Sequence, residues 1–164
     1  IYLKERMAAL CDRQGWGDPF SYARAKEIHA AIELGHTVAP TLSGADAFDE
    51  DGNALEYKST SGRDDKGRLK KVKGTYTGIS VQPTWEEQEE YLRTKKIGNY
   101  FEHYYNLFDR GVLLESWAMS GDDVLKLLLP KLDKKFPTVL TKKDPRLSAG
   151  ISNTEIKKYG RRVI

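Results

Sequence analysis

The chain has 164 residues, of which 39% are hydrophobic and 31% charged, with a formal net charge of +3. This length suits a single domain with a sizeable core. No apolar run approaches the roughly 20 residues that a membrane-spanning helix needs, so we expect no membrane association. The single cysteine, Cys11, excludes an internal disulfide and a zinc site built on several cysteines, and it predicts a reducing, cytoplasmic setting.

The N-terminal part of the chain is predicted to be helical. Apolar residues at helical spacing indicate a first helix over 3–13. A second helix is predicted to begin after an N-cap at Ser21 and to end at Gly35. We therefore expect residues 1–35 to form a helical unit and residues 36–164 to complete the single domain.

The rest of the chain alternates strand patterns with two amphipathic helices. The expected elements are a strand near 45–49, a turn at 51–53, a strand near 54–60, a polar loop over 61–74, a strand over 75–81, a helix from an N-cap at Thr84 to about 95, a hairpin of 100–108 with 112–119, a helix over 124–135, and mostly loop with one short strand over 137–164. This order predicts an α+β (α/β-like) fold with a central mixed sheet flanked by helices.

The first predicted hairpin carries the residues with the clearest chemistry. Asp46 lies ten positions before Glu56, and the gap contains a tight-turn signal at 51–53, so the two carboxylates are expected side by side. Glu56 and Lys58 are two residues apart, so on a strand they project from one face. Two carboxylates and an ammonium group are the minimum set for metal-assisted phosphodiester hydrolysis. The alternative is an exposed hairpin with a cross-strand ion pair, for which the acids at 49–51 are better candidates.

Basic residues concentrate elsewhere in the chain. Residues 63–73 are predominantly basic, as are residues 157–162, whereas acidic residues cluster at 46–56 and 86–90. This distribution suits a polyanionic substrate that is cut with the help of a metal ion. Ordinary solvated charge explains either basic segment equally well when it is taken alone.

The hairpin as a whole resembles a known active site. Residues 44–47 (Gly-Ala-Asp-Ala) with 56–59 (Glu-Tyr-Lys-Ser) are similar to the active-site hairpin of the PD-(D/E)XK nuclease superfamily, and within it of the PvuII-like type II restriction endonucleases. Weaker similarity extends over residues 36–40, 104–117, 122–136 and 159–164. The resemblance implies a restriction-endonuclease-like fold, Mg²⁺-dependent cleavage of double-stranded DNA, and a homodimer that uses residues 1–35 as its dimerisation element.

The resemblance also implies roles for individual residues. Asp46 and Glu56 would bind Mg²⁺ together with the backbone carbonyl of Tyr57, and Lys58 would position or activate the attacking water. One departure is Ser43, because the family has an acidic residue at that position. Glu27, on the second predicted helix, is a candidate to replace it.

Readout of DNA is expected from the segment after the active-site hairpin. The family reads bases there from a short His-rich segment that this chain lacks. Hydroxyl, amide and ammonium groups are the candidates for DNA contacts. They are Ser59, Lys70, Lys71 and Lys73 for phosphates, Thr77, Ser80 and Gln82 for bases, and Asn153 for a groove contact. The alternatives are that 76–81 is a core strand and that Asn153 is a turn residue.

The three histidines show no metal-ligand spacing. His29 is interpreted as part of a helix face, His36 as a loop residue and His103 as a residue on the surface of a strand. Two rival functions remain open at this point. One is a homing, repair or junction-resolving nuclease of the same fold, and the other is a DNA-binding module of that fold without catalytic activity.

Overall fold

The computed structural model describes residues 1–40 and 44–164, so Ser43 lies outside the described residues. The described part contains helices and strands in an α+β arrangement. They are α1 (Tyr2–Gln14), α2 (Arg24–Leu34), β1 (Thr37–Val38), β2 (Ala47–Phe48), β3 (Ala54–Ser61), β4 (Gly74–Ser80), α3 (Trp85–Tyr91) with a following π-helical turn (Leu92–Lys96), β5 (Glu102–Asp109), β6 (Val112–Ser120), α4 (Gly121–Val139), β7 (Arg146–Ile151), α5 (Asn153–Tyr159) and β8 (Arg161–Arg162).

A mixed sheet of six strands forms the centre of the molecule. Its strand order is β1-β2-β3-β5-β6-β8, and β4 pairs with β7 in a separate two-stranded sheet. Neighbouring strands of the large sheet are antiparallel except β3 and β5, which run parallel with Tyr57 opposite Tyr104. The predicted mixed sheet flanked by helices is therefore confirmed.

Apolar clusters cover the large sheet on both faces. On one face, Leu128 and Leu132 of α4 pack with residues of β4, β5 and β7. On the other face, Ile28 and Ala31 of α2 pack with Leu55 and other residues of β1, β2, β3 and β5. Because β5 lies between β3 and β6 and is covered on both sides, residues 103–108 are buried without interruption. Such a strand reads as a continuous buried run rather than an alternating one.

Local signals explain several element boundaries. The αL conformation of Gly35 ends α2 as predicted, but the helix begins later than expected, with Ala23 rather than Ser21 at its N-cap. Thr84 accepts a hydrogen bond from the backbone N–H of Glu87 and caps α3 as predicted. Ser120 caps α4 in the same way, so this helix begins three residues before the predicted start.

The C-terminal region is more regular than the sequence predicted. Instead of mostly loop, it contains β7, the capped helix α5 and the edge strand β8. Val72, within the segment predicted to be a polar loop, is buried in the core. The strand β7 forms by pairing with β4, which is distant in sequence, whereas α5 begins at a capping box formed by Ser152 and Glu155. Tertiary contacts therefore override the polar local composition here.

Cys11 is a free, buried thiol in α1. Within residues 1–40 and 44–164, no helix is both long enough and apolar enough to cross a membrane.

Candidate active site

The β2–β3 hairpin brings Asp46 and Glu56 together as predicted. Ala47 pairs with Leu55 and Phe48 with Ala54, and one further step in this register sets Asp46 opposite Glu56. Residues opposite each other on antiparallel strands project from the same face. The backbone N–H of Tyr57 also donates to Asp46 Oδ2 at 2.7 Å, which fixes the carboxylate against β3. We call this pair, Asp46 and Glu56, the carboxylate corner.

The turn of the hairpin is stabilised by its own acidic residue. Asp49 Oδ1 accepts hydrogen bonds from the backbone N–H groups of Asp51 and Asn53, and Gly52 takes the left-handed conformation with φ of 81°. Asp49 is therefore used to form the turn, as is common for aspartate in Asx-type turns. The expected turn at 51–53 is confirmed.

Alternation along β3 separates the candidate catalytic residues from the core beneath them. Leu55 and Tyr57 are buried on the face that packs towards α2, while Glu56 and Lys58 are half-buried on the opposite face. The Lys58 ammonium lies 3.2 Å from Glu56 Oε1. The structure thus brings Asp46, Glu56 and Lys58 to one place.

The carboxylate corner carries crowded negative charge. Burial, with the charges of Glu56 and Glu27, raises the pKa of Asp46 to about 8, although the Tyr57 N–H and Lys58 act in the opposite direction. Like charges and burial both disfavour an ionised carboxyl group. Glu27, the candidate to replace the acid that the family has at position 43, is therefore close enough to Asp46 to affect its pKa. Its carboxylate is also bound by Arg24 Nη1 at 3.1 Å.

The composition of the corner fits a hard divalent cation. Carboxylate and carbonyl oxygens are the ligands that Mg²⁺ accepts, and a cation would offset the burial and the like charges that raise the pKa of Asp46. Among residues 1–40 and 44–164, however, no group of three or more His, Cys, Asp or Glu side chains is arranged to hold a metal. The ligands offered by side chains are therefore Asp46 and Glu56, and further ligands would have to be the Tyr57 carbonyl and water.

Two residues near the corner were not singled out for it from the sequence. The Tyr100 hydroxyl donates to the Gly44 carbonyl at 2.6 Å, and burial together with Glu56 and Asp46 raises its pKa to about 12. His36 Nδ1 lies 2.6 Å from the Tyr57 hydroxyl, on the face of β3 away from Lys58. Tyr100 precedes β5 without any motif, and only the pairing of β5 with β3 brings it close.

Several candidate DNA contacts share an exposed position near β4. Lys71 and Lys73 are exposed on either side of buried Val72, and Thr77 is exposed beside buried Tyr76. An irregular register between β4 and β7, with φ of 63° at Gly78, shifts the alternation so that Ser80 is exposed as well. The alternative reading of this segment as a core strand is correct for Tyr76 and Ile79, which are buried, and in part for Val81, which is half-buried and packs against the same core.

The other candidates are placed differently. Ser59 is exposed but lies on the opposite face of β3 from Lys58, and Lys70 is exposed in the loop before β4. Gln82 is half-buried, and its backbone N–H donates to Gln88 Oε1. Asn153 is neither free in a groove nor a turn residue: it begins α5, and its Nδ2 donates to the Val72 carbonyl at 3.2 Å.

The prediction for His103 was wrong. It is fully buried on β5 rather than exposed on a strand, because β5 is covered on both faces. His29 does lie on the surface of α2, 2.8 Å from Glu33. No local pattern distinguishes the two histidines, since His103 lies in a run of polar and aromatic residues that resembles a half-exposed strand.

Comparison with known proteins adds no further constraint on the site. No protein-family model matches the chain, and no curated protein matches it.

Proposed function

We propose that this protein is a Mg²⁺-dependent endonuclease of the PD-(D/E)XK type that hydrolyses phosphodiester bonds in double-stranded DNA, as a type II restriction endonuclease does. The observation that carries the proposal is the convergence of Asp46, Glu56 and Lys58 on one face of the β2–β3 hairpin. The restriction-endonuclease-like fold is part of the proposal, and the six-stranded mixed sheet is compatible with it.

The chain's own groups would divide the chemistry between them. Asp46 and Glu56, with the carbonyl of Tyr57, would hold the cation, which when bound acts as a Lewis acid and acidifies a coordinated water. The Lys58 ammonium would donate hydrogen bonds to the attacking water and to a non-bridging phosphate oxygen. Charge that develops on that oxygen is stabilised most strongly by donors fixed in a partly desolvated site.

Charge on the surface supports a DNA substrate. Lys70, Lys71 and Lys73 are exposed in the segment that leads into β4, whose hydroxyl residues Thr77 and Ser80 are exposed next to them. Ammonium groups that neutralise phosphates supply the salt-dependent part of DNA affinity, and hydroxyls can contact base edges. This surface, with half-buried Gln82 two residues beyond Ser80, is the proposed DNA contact. Ser59 lies on the other face of β3 from Lys58, and the Asn153 amide is hydrogen-bonded to the Val72 carbonyl, so both are weaker candidates.

The N-terminal helices support a homodimer. Only Cys11 is buried in α1, while Leu3, Met7 and Leu10 form an exposed apolar stripe at helical spacing. Exposed apolar patches of this kind mark protein interfaces. A second copy docked on α1 would bury the stripe and would supply the second active site that cutting both strands of a palindrome requires. We propose a cytoplasmic location on the basis of the single free thiol.

The experiment that tests the function is digestion of sequenced plasmid DNA. The wild-type protein is incubated with Mg²⁺ and, separately, with EDTA, and Lys58→Ala and Lys143→Ala are compared with Mg²⁺. Lys143 is an exposed lysine outside the candidate site, so its variant is the matched control. We expect discrete fragments from the wild type and Lys143→Ala with Mg²⁺, and none from Lys58→Ala or with EDTA.

Other outcomes would redirect the proposal. Fragments that persist in EDTA or in Lys58→Ala would contradict this active site. Absence of cleavage on any linear or supercoiled duplex, followed by cleavage of junction or flap DNA, would assign the fold to a structure-selective nuclease instead. Metal-independent binding without cleavage of any of these substrates would leave a DNA-binding module.

A further inference from the structure

The Lys58 ammonium has a second neighbour besides Glu56. It lies 4.6 Å from the centroid of the Tyr76 ring, at cation–π distance. Tyr76 belongs to β4, which is in the other sheet, so the ring approaches the face of β3 that carries Lys58. The ammonium is thus held between a carboxylate and an aromatic face.

The Tyr76 ring is fixed by hydrogen bonds at its far end. Its hydroxyl lies 2.8 Å from His103 Nδ1 and 2.8 Å from the Tyr105 hydroxyl. His103 Nε2 lies 2.9 Å from the carbonyl of Ile97, which can only accept, so Nε2 carries the hydrogen and Nδ1 is an acceptor. The Tyr76 hydroxyl therefore donates to His103 and accepts from Tyr105. We call Tyr76, His103 and Tyr105 the buried network.

Two backbone features lie next to the buried network: the π-helical turn that precedes Ile97, and Gly74 beside Tyr105. The π-helical turn Leu92–Lys96 is closed by hydrogen bonds from the N–H groups of Ile97 and Gly98 to the Leu92 carbonyl. The Ile97 carbonyl that follows the turn accepts from the Tyr100 N–H at 3.3 Å and from His103 Nε2 at 2.9 Å. π-Helical turns of this kind are often found at functional sites. At Gly74, a Cβ would collide with the Tyr105 ring, so glycine allows Tyr105 to reach Tyr76.

We propose that Tyr76 is the positioning residue for Lys58. Its ring holds the ammonium at the carboxylate corner, and the buried network holds the ring. This role rests on the proposed function, because only a reaction at the corner gives the position of the ammonium a consequence.

The reason for a second anchor lies in competition for Glu56. If Glu56 alone held Lys58, a cation bound to Glu56 would take its charge away from the ammonium. The ring face of Tyr76 attracts the ammonium without using any oxygen that a cation needs. Lys58 can therefore stay in place when the carboxylates bind a cation, with its remaining donors directed to water and phosphate.

The first measurement needs no enzymatic activity. The protein is labelled with ¹³C and ¹⁵N at lysine, and the Lys58 side-chain signals are assigned by their loss in Lys58→Ala. An aromatic ring below the ammonium shifts the adjacent methylene protons upfield. We expect this shift in the wild type and in Tyr76→Phe, which keeps the ring, and its loss in Tyr76→Met, which has none. A shift that survives in a folded Tyr76→Met would overturn the proposal.

The second measurement uses substitutions at position 76 that preserve the shape of the buried ring, so that a loss of folding does not account for the result. Fluorinated phenylalanines at position 76 keep the shape of the ring while each fluorine lowers the electron density of its face. We expect the Mg²⁺-dependent kcat to fall stepwise with fluorine number from the Tyr76→Phe value, with the KM for DNA unchanged, and Tyr76→Met to lose about 10- to 100-fold in kcat. The same series at Phe136, a buried core ring that contacts Trp85 and lies outside the buried network, is the control and should show no trend.

The outcomes separate this proposal from the function on which it rests. No trend at position 76 in an active enzyme would refute the positioning role and leave the nuclease intact. If the wild type cleaves no DNA, the nuclease proposal fails, and the positioning role fails with it even if the upfield shift shows that Tyr76 contacts Lys58.

Discussion

Two clusters of polar side chains contact Lys58, the carboxylate corner and the buried network, and they differ in how their polar groups are paired. In the buried network, each hydroxyl group and each ring nitrogen takes part in a hydrogen bond in which a donor faces an acceptor, and the histidine stays neutral. In the carboxylate corner, two acids face each other with a third within electrostatic reach. Buried polar groups that are fully paired stabilise a fold, whereas crowded like charges lower stability. The paired network is the arrangement expected of a structural support, and the crowded charge of the corner is the feature on which the proposed cation site rests.

The largest expected effect tests the corner as a catalytic site. Asp46→Ala should lower Mg²⁺-dependent cleavage by at least about 1,000-fold, because a metal ligand is lost. Binding of the same duplex should change little, since the basic segment before β4 is untouched. Glu50→Ala, an exposed acid on the same hairpin, is the control and should cleave normally. Cleavage that persists in Asp46→Ala, measured by initial rates, would show that the two clusters do not differ in function as proposed.

The next effect tests the network as support. His103→Phe should lower the free energy of unfolding by about 2–4 kcal/mol at pH 7.5, because the buried Tyr76 hydroxyl loses its acceptor and the Ile97 carbonyl loses one of its two donors. Burial lowers the pKa of His103 to about 4, below its usual value near 6.5. The neutral histidine therefore contributes stability that is complete above pH 6.5 and is lost as the pH falls towards 4.

The difference between the wild type and His103→Phe should consequently shrink with acid. Urea denaturation at several pH values between 4 and 7.5 measures it. Lys143→Ala, at an exposed lysine outside both clusters, is the control and should follow the wild type across this range. A constant difference across this range would mean that His103 does not stay neutral in the fold.

The smallest expected effect is an increase in the free energy of unfolding, caused by a substitution in the carboxylate corner. Asp46→Asn should raise the free energy of unfolding without metal by about 1–2 kcal/mol above pH 8, because it removes a charge that its neighbours disfavour. Since the folded pKa of Asp46 is about 8, the wild type loses the stability of the protonated form as the pH rises through that value. The advantage of the variant should disappear near pH 4.

Added Mg²⁺ sharpens the same measurement. A cation that binds only the folded wild type stabilises it by mass action, so the order of the two proteins should reverse at high Mg²⁺. Thermal melts in EDTA and in Mg²⁺ at pH 8.5 give both values. If Mg²⁺ raises the Tm of Asp46→Asn as much as that of the wild type, the cation binds somewhere other than the corner.

The sequence predicted the corner better than the network because the corner is local. A turn signal and a two-residue alternation are enough to bring Asp46, Glu56 and Lys58 together. The burial of His103 instead requires β5 to add beside β3 and β4 to pack against it, and nothing within a few residues of His103 signals either event.

The elements of the fold that depend on short-range patterns were also easier to predict than those that depend on distant pairing. The central hairpin of β5 and β6 and the capped start of α3 follow from short-range patterns, and both were predicted. The strand β7 was not, because it is stabilised by pairing with β4, which is distant in sequence. The helix α5 was not predicted either, although the Ser152 and Glu155 capping box at its start is a local signal. The resemblance to a nuclease family supplied the proposed roles of the site residues, which periodicity alone does not give.

The lengths of the strands that carry the corner have a consequence for local stability. Glu56 and Lys58 belong to an eight-residue strand inside the sheet, whereas Asp46 precedes a strand of only two residues. Short ladders near the edge of a sheet open far more readily than central ones. Glu56 therefore lies on a stable strand, whereas Asp46 lies beside one that should open locally at a small cost in free energy. Occupation of the corner would suppress that fraying, so slowed amide exchange along β2 would report a bound cation without any substrate present.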